Sequence, residues 1–414
     1  MRCILPAQFA LAVALSSFYS AVSAAATPIA LADVCPAGFE TTAQNTCKLH
    51  TRNDQYDSLY EKGVGGLQTA LPAHREGFSP QQIDLGRNLF FDPVLSGDQT
   101  LSCASCHHPQ LGFADGLKRS IGVGGQETKR AAPSLWNMAF LTRFFWDDRA
   151  GSLEEQMTGP LFAPDEMAST PELLLERLNG STDYQRLFAV AFPDQQQQGV
   201  TLDQLYLSLA AFQTSLISLN SPYDRYAHGA ADALTPKQLE GFNIFRSFVA
   251  RCSECHTPPL FTNQQIAVIG VNEPDGRPFD PGAEVPFNNP DWRGGFKVPS
   301  LRNVAKTGPY MHSGTFDNLR DAAEFYSKGR GHALPEEEKA RVQLHWHIWE
   351  PKLEDHELDL LVDFMQALTD ESFTPAIPER VPSGLQPIGK LPAALHNGAK
   401  TATTTVSITE PTGE

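Results

Sequence analysis

Beyond residue 22 the chain has no apolar run long enough to cross a bilayer, which takes about twenty such residues. Basic residues are also scarce: 32 Lys and Arg stand against 48 Asp and Glu, for a formal net charge of −16. That balance argues against nucleic acid or an anionic membrane surface as a partner. Only seven cysteines occur in 414 residues, too few to frame a fold of this size with disulfides, so each needs its own explanation. Strand-like alternation is nearly absent too. What remains is apolar spacing with a helical period, which predicts a mainly α fold with few short strands.

The N-terminus reads as an export leader. Arg2 is the lone charge before Asp33, an apolar stretch runs from Phe9 to Val22, and Val22-Ser23-Ala24 supplies the small residues that signal peptidase requires. Pro6, Gln8 and the serines interrupt the stretch and argue against an uncleaved anchor. Residues 1–24 are therefore expected to be removed, leaving a periplasmic protein with no membrane span. Cys3 departs with the leader. Cys35 and Cys47 flank a short loop, and His50 is the one neighbouring metal ligand, so a disulfide is expected between them in an oxidising compartment.

An internal repeat organises the rest. Ser79-Pro80-Gln81-Gln82 and Thr235-Pro236-Lys237-Gln238 each offer a hydroxyl N-cap, a proline at the first helical position and a glutamine that completes a capping box. Helical apolar spacing follows in both: Ile83, Leu85, Leu89 and Phe90, then Leu239, Phe242 and Phe245. Each helix runs into a loop carrying Cys-x-x-Cys-His. Further helices are predicted over 170–178, 202–219 and 355–368. The Pro- and Gly-rich stretch 258–299 is expected to wrap a bound group or form a short hairpin. The expected division is a segment 25–78, a first domain 79–232, a second domain 233–372 and an extended or disordered tail 373–414.

The motifs are Cys103-Ala104-Ser105-Cys106-His107 and Cys252-Ser253-Glu254-Cys255-His256. Two thiols three positions apart each add to one vinyl group of a porphyrin, and the adjoining histidine is held under the iron. Zinc ribbons place their cysteine pairs about 15–20 residues apart, whereas Cys106 and Cys252 are widely separated. Two covalent haems c are therefore expected, with His107 and His256 as proximal ligands. The group opposite each iron decides function. Two strong ligands leave only electron transfer, while one open position admits peroxide. Spacing alone does not choose that group among the loop histidines, methionines and tyrosines.

The order of several further motifs resembles the bacterial dihaem cytochrome c peroxidase family, including its MauG-like oxidases. These are Gly112-Phe113-Ala114-Asp115-Gly116, Ala132-Pro133-Ser134-Leu135-Trp136-Asn137 and Phe145-Trp146-Asp147-Asp148-Arg149-Ala150. Glu166-Met167, Val298-Pro299-Ser300-Leu301-Arg302-Asn303 and Pro309-Tyr310-Met311-His312-Ser313-Gly314 complete the set, over about Ser79 to Asp370. The resemblance implies two cytochrome c-like domains packed together, a peroxidatic first haem and an electron-transfer second haem. It places Trp146 between the haems and Glu166 over the first, where a carboxylate relays the proton of bound peroxide. It also implies a donor, either a cytochrome c or a copper protein, or else an oxidisable partner protein.

Two departures from the family pattern bear on mechanism. Where classical members carry a distal histidine, the loop Ile121-Gly122-Val123-Gly124-Gly125-Gln126 has Val123, so the first haem is expected to be open. Where they carry the methionine ligand of the second haem, fourteen residues after His312, this chain has Tyr326, with Met311 as the rival. A phenolate favours ferric and higher states where a thioether favours ferrous. The family's calcium between the haems would use carbonyls at Thr307 and Pro309, but Ala131 replaces its asparagine ligand. The expected activity is reduction or activation of hydrogen peroxide. The alternatives are oxidation of a partner's side chains and electron transfer without catalysis.

Overall fold

The computed structural model describes residues 28–50, 71–274 and 276–389; the leader and the end of the tail lie outside that range. Both expected capping boxes form. The Gln82 amide donates to Ser79 Oγ at 3.1 Å while Ser79 N–H donates to Gln82 Oε1 at 3.0 Å. Thr235 and Gln238 make the same exchange at 3.0 and 3.2 Å. Satisfying the first N–H groups of each helix in this way fixes where the two repeats begin.

The first half opens with strands β1 (Phe39–Thr41) and β2 (Cys47–Leu49), paired antiparallel. A disulfide joins Cys35 to Cys47 with an S–S distance of 2.04 Å. Helices α1 (Pro80–Phe91), α2 (Cys103–Cys106), α3 (Leu153–Phe162), α4 (Pro171–Gly180), α5 (Thr182–Ala191) and α6 (Leu202–Thr214) follow. The second half holds α7 (Pro222–Ala227), α8 (Pro236–Phe245), α9 (Cys252–Cys255), β3 (Ile266–Val268), α10 (Glu284–Phe287), β4 (Gly295–Lys297), α11 (Leu319–Lys328) and α12 (Asp355–Gln366). β3 and β4 pair antiparallel, but residues 269–294 lie between them, so the stretch after the second motif is not a short hairpin. Among the described residues the fold is mainly helical, as expected.

α6 stops at Thr214, five residues before the predicted Leu219. The hydroxyls of Thr214 and Ser215 donate to the carbonyls of Ala211 and Phe212, and Asn137 captures the backbone of Ser218 on both sides. Side-chain bonds to backbone thus replace the helical ladder.

Each half is organised by one close helix crossing. A Cβ on Gly86 of α1 would stand 1.8 Å from Ser208 O of α6, and a Cβ on Gly241 of α8 would stand 1.9 Å from Leu360 O of α12. Only glycine allows either approach. Around the first crossing lie Leu85, Leu89, Phe90, Leu209 and Phe212; around the second, Tyr223, Phe242, Phe245, Phe261 and Phe364. Burying one such side chain stabilises by about 1.5–3 kcal/mol, so these clusters outweigh the helices' intrinsic propensities.

Ion pairs join the halves. Arg119 meets Glu273 at 2.6 Å, and Arg130 meets Asp280 at 2.8 Å and Asp147 at 2.6 Å, all little exposed. The Arg130 guanidinium holds the Asp280 carboxyl well below the usual carboxylate range against the opposing effect of burial. After α12 the chain turns back over the first half, where Ser383 Oγ donates to Asp92 at 2.7 Å and Ile388 N–H to Phe91 O at 2.9 Å.

Candidate active site and its two haem pockets

α2 and α9 are single turns that end on His107 and His256. His107 Nδ1 lies 2.9 Å from Phe113 O. His256 Nδ1 lies 3.2 Å from Phe261 O and 3.1 Å from Pro299 O. Carbonyls only accept, so Nδ1 carries the proton and Nε2 is left as the ligand atom. Phe113 and Phe261 both adopt positive φ, 61° and 56°, which turns their carbonyls toward the rings. Burial holds the His256 ring down to about 4, keeping it neutral and fit to ligate, and lowers His107 for the same reason.

A second repeated device backs each loop. Ser134 Oγ donates to Gly112 O at 2.7 Å and Ser300 Oγ to Leu260 O at 2.6 Å. Three residues on, Asn137 and Asn303 take left-handed backbone, φ 63° and 58°. Pro-Ser-Leu-x-Asn is therefore part of the internal repeat. Its recurrence at 133–137 and 299–303 was visible in the sequence.

One cavity of about 640 Å³ connects both motifs, lined by Cys106, His107, Cys252, Cys255, His256 and mostly apolar side chains. Burial pushes the Cys103, Cys106 and Cys252 thiols up to about 12. None of the four motif cysteines forms a disulfide. The buried indole N–H groups of Trp136 and Trp349 reach the cavity without a protein partner, an uncommon cost unless a bound group accepts from them. Thiols, free Nε2 atoms and unmet donors around an apolar space fit haem.

Glu166 and Asp165 line the first-motif end of the cavity with Gln156, Gln213 and Arg149. Burial raises the Glu166 carboxyl, Asp165 raises it further, and Arg149 opposes them. Its charge in turn contributes to raising Cys106. The histidine-free loop grips this turn from behind: Val123 N–H donates to Glu166 O at 2.8 Å, and a Cβ on Gly122 would stand 2.0 Å from Asp165 O. Val123 contributes no lining to the cavity.

Trp146 sits where the halves meet. Its Nε1–H donates to Ala131 O at 2.8 Å, and its carbonyl accepts from Lys297 N–H of β4 at 2.7 Å. Its ring stands edge-on to His312, with centroids 6.4 Å apart. In the sequence, His312 stands as a motif position with no role assigned to it. It is buried, stacked on Phe296 at 3.7 Å, and its Nε2 lies 2.7 Å from Glu273. Glu273, Asp280 and His312 are close enough to share an ion, but Arg119, Arg130 and Lys129 already pair with the two carboxylates.

At the other end, Tyr326 projects from α11 into the cavity. Burial raises its phenol far above the usual value, and Cys255 and Cys252 add to the effect, which places the ring beside the second motif. Met311 lines the same cavity on left-handed backbone, φ 71°. Thr307 and Pro309 line it as well. Ala131 faces neither with a free amide, since its N–H donates to His312 O and its carbonyl serves Trp146.

The sequence profile of the di-haem cytochrome c peroxidase family matches residues 80–232. The methylamine utilization protein MauG of Methylorubrum extorquens is 35% identical over 301 residues, covering 73% of this chain and 82% of that protein. This chain belongs to the di-haem cytochrome c peroxidase family. The cytochrome c551 peroxidase of Pseudomonas aeruginosa is likewise 35% identical over 288 residues, covering 69% and 81%. Two crystal structures share the fold. A MauG-like protein associated with microbial copper homeostasis has a TM-score of 0.68 at 32% identity, covering 74% of this chain and 95% of that one. The diheme peroxidase BthA of Burkholderia thailandensis has a TM-score of 0.63 at 25% identity, covering 78% and 100%.

As a member of this peroxidase family, the chain is an oxidoreductase acting on peroxide, and the family implies two haems c. No helix among the described residues is long and apolar enough to cross a membrane. His347 also lines the cavity, with Ile348 and Trp349. The segment that carries it lies between α11 and α12 and has no helical period to reveal which side faces inward.

Proposed function

We propose that the chain reduces hydrogen peroxide at the Cys103–His107 haem with electrons that a small carrier, a cytochrome c or a copper protein, delivers by way of the Cys252–His256 haem. The observation that carries this reading is Glu166: a buried carboxyl, in the wall of the first-motif pocket, held by a loop that offers no histidine. When bound, the haems supply the redox-active irons. Glu166 takes a proton from one peroxide oxygen and returns it to the departing one, a transfer worth about 10²–10⁴-fold in rate. Arg149 opposes the rise in its pKa and so favours the ionised form. Trp146 supplies an aromatic bridge between the pockets, anchored to both halves by its two hydrogen bonds. Tyr326 caps the second pocket. The balance is H₂O₂ with two protons and two electrons giving two waters, so two one-electron carriers serve each peroxide.

The Cys35–Cys47 disulfide and the N-terminal leader support a periplasmic setting. Carbonyls of Thr307 and Pro309 are the ligands we assign to a calcium ion between the haems, held weakly because Ala131 brings no side-chain ligand. Tyr326 favours a second reading, in which the oxidised pair of haems draws electrons from side chains of a partner protein.

Mixing the protein with peroxide and excess ferrous cytochrome c separates the two. Carrier reduction of peroxide predicts two cytochromes oxidised for each peroxide consumed. Peroxide consumption without oxidation of any carrier would overturn the first reading in favour of the second.

A further inference from the structure

The segment His345-Trp346-His347-Ile348-Trp349 runs from the second haem pocket to solvent. His347 and Trp349 line the cavity together with Cys252, Cys255 and Tyr326. His347 Nε2 lies 2.8 Å from Glu254 Oε2, a residue between the two motif cysteines. Trp346 packs against His347 with ring centroids 3.5 Å apart, yet leaves 74% of its own surface exposed. An indole so exposed is uncommon, since burying it would stabilise the fold. Its position is not that of a loose tip. His345 N–H donates to Val268 O of β3 at 2.8 Å, and His347 N–H donates to His345 Nδ1 at 3.3 Å.

Further apolar surface adjoins it. Phe248 and Val249, just before the second motif, are 77% and 50% exposed. Arg251 ties this edge to the pocket, lying 4.3 Å from the Phe248 ring and 5.2 Å from the Trp349 ring. The exposed charges nearby are mixed, with Arg246, Glu254, Glu350 and Lys352 all at the surface. Exposed aromatics with charges of both signs suit a partner that docks by apolar contact rather than by a strong field of one sign.

We propose that Trp346 is a redox-active surface residue through which a one-electron carrier protein passes electrons to the second haem pocket, by way of the His347 ring that meets it edge-on. This rests on the peroxidase reading above. Each carrier gives up one electron, and two of them balance the cleavage of one peroxide O–O bond to two waters. With no carrier present, Trp346 supplies both electrons itself. One ring C–H becomes C–OH with the oxygen of a solvent water, and the two electrons and two protons released reduce one peroxide to two waters.

Peptide mass mapping of the full haem-loaded protein, after a few equivalents of peroxide and no carrier, tests this. An added oxygen on the Trp346 peptide is expected, at least tenfold less abundant in Glu166→Gln, where peroxide is not activated. In addition, Trp346→Phe with an unchanged ferric spectrum is expected to oxidise ferrous cytochrome c about tenfold more slowly, the loss typical of an aromatic contact at the centre of an interface. Peroxide consumed with Trp346 unmodified would overturn the proposal, as would equal modification in Glu166→Gln. If the wild-type protein consumes no peroxide, the peroxidase reading fails and this inference falls with it.

Discussion

Glu166→Gln is expected to slow the reaction with peroxide by about 10²–10⁴-fold while both haems stay attached. Glutamine matches the size of the carboxyl, so the Asp165–Glu166 turn keeps its backbone bond to Val123 and the packing against Gly122. What is lost is the ability to take a proton. The pH dependence gives an independent check. Burial raises the Glu166 carboxyl above the usual carboxylate range, and as a base it works only when ionised. Wild-type rates should therefore rise with pH through that raised value and then level off, and the variant should show no such step. A variant that reacts at the wild-type rate would remove Glu166 from the proton path.

Tyr326→Phe is expected to alter the absorption spectrum of the second haem and leave that of the first in place. α11 brings the Tyr326 phenol into this pocket beside Cys252 and Cys255. Phenylalanine keeps the ring and removes its oxygen. Tyr326→Met should move the second haem the other way from a phenolate, toward easier reduction, because a thioether favours ferrous iron. The measurement is a pair of spectra, ferric and ferrous, with a redox titration of both variants. A ferric spectrum identical to wild type in Tyr326→Phe would transfer the ligand role to Met311, which lines the same cavity.

Much of this site was legible in the sequence because its chemistry is local. Cys-x-x-Cys-His needs no partner to be recognised, and the two capping boxes are complete within four residues each. Family resemblance then drew attention to Trp146, Glu166 and Tyr326, and all three line the cavity that the motifs share. Residues whose roles depend on contacts far along the chain were not legible. His312 matters through Glu273 and Phe296, and His347 through Glu254, almost a hundred positions away. The Val123 loop was read for the histidine it lacks. Its positive contribution, a backbone bond to Glu166 O, connects two loops that no periodicity relates. Helix α5 was missed for another reason: Ser181 ends α4 and caps α5 at once, so no loop separates the two helices.

The central claim is that the two haem pockets are unequal, one open to peroxide over His107 and one closed by Tyr326 over His256. Electron paramagnetic resonance of the ferric protein as isolated tests it most directly, since it separates the spin states of the two irons. One high-spin and one low-spin ferric centre are expected, in equal amounts. Two low-spin signals would contradict it, because both irons would then carry strong ligands on both faces and no position would be left for peroxide.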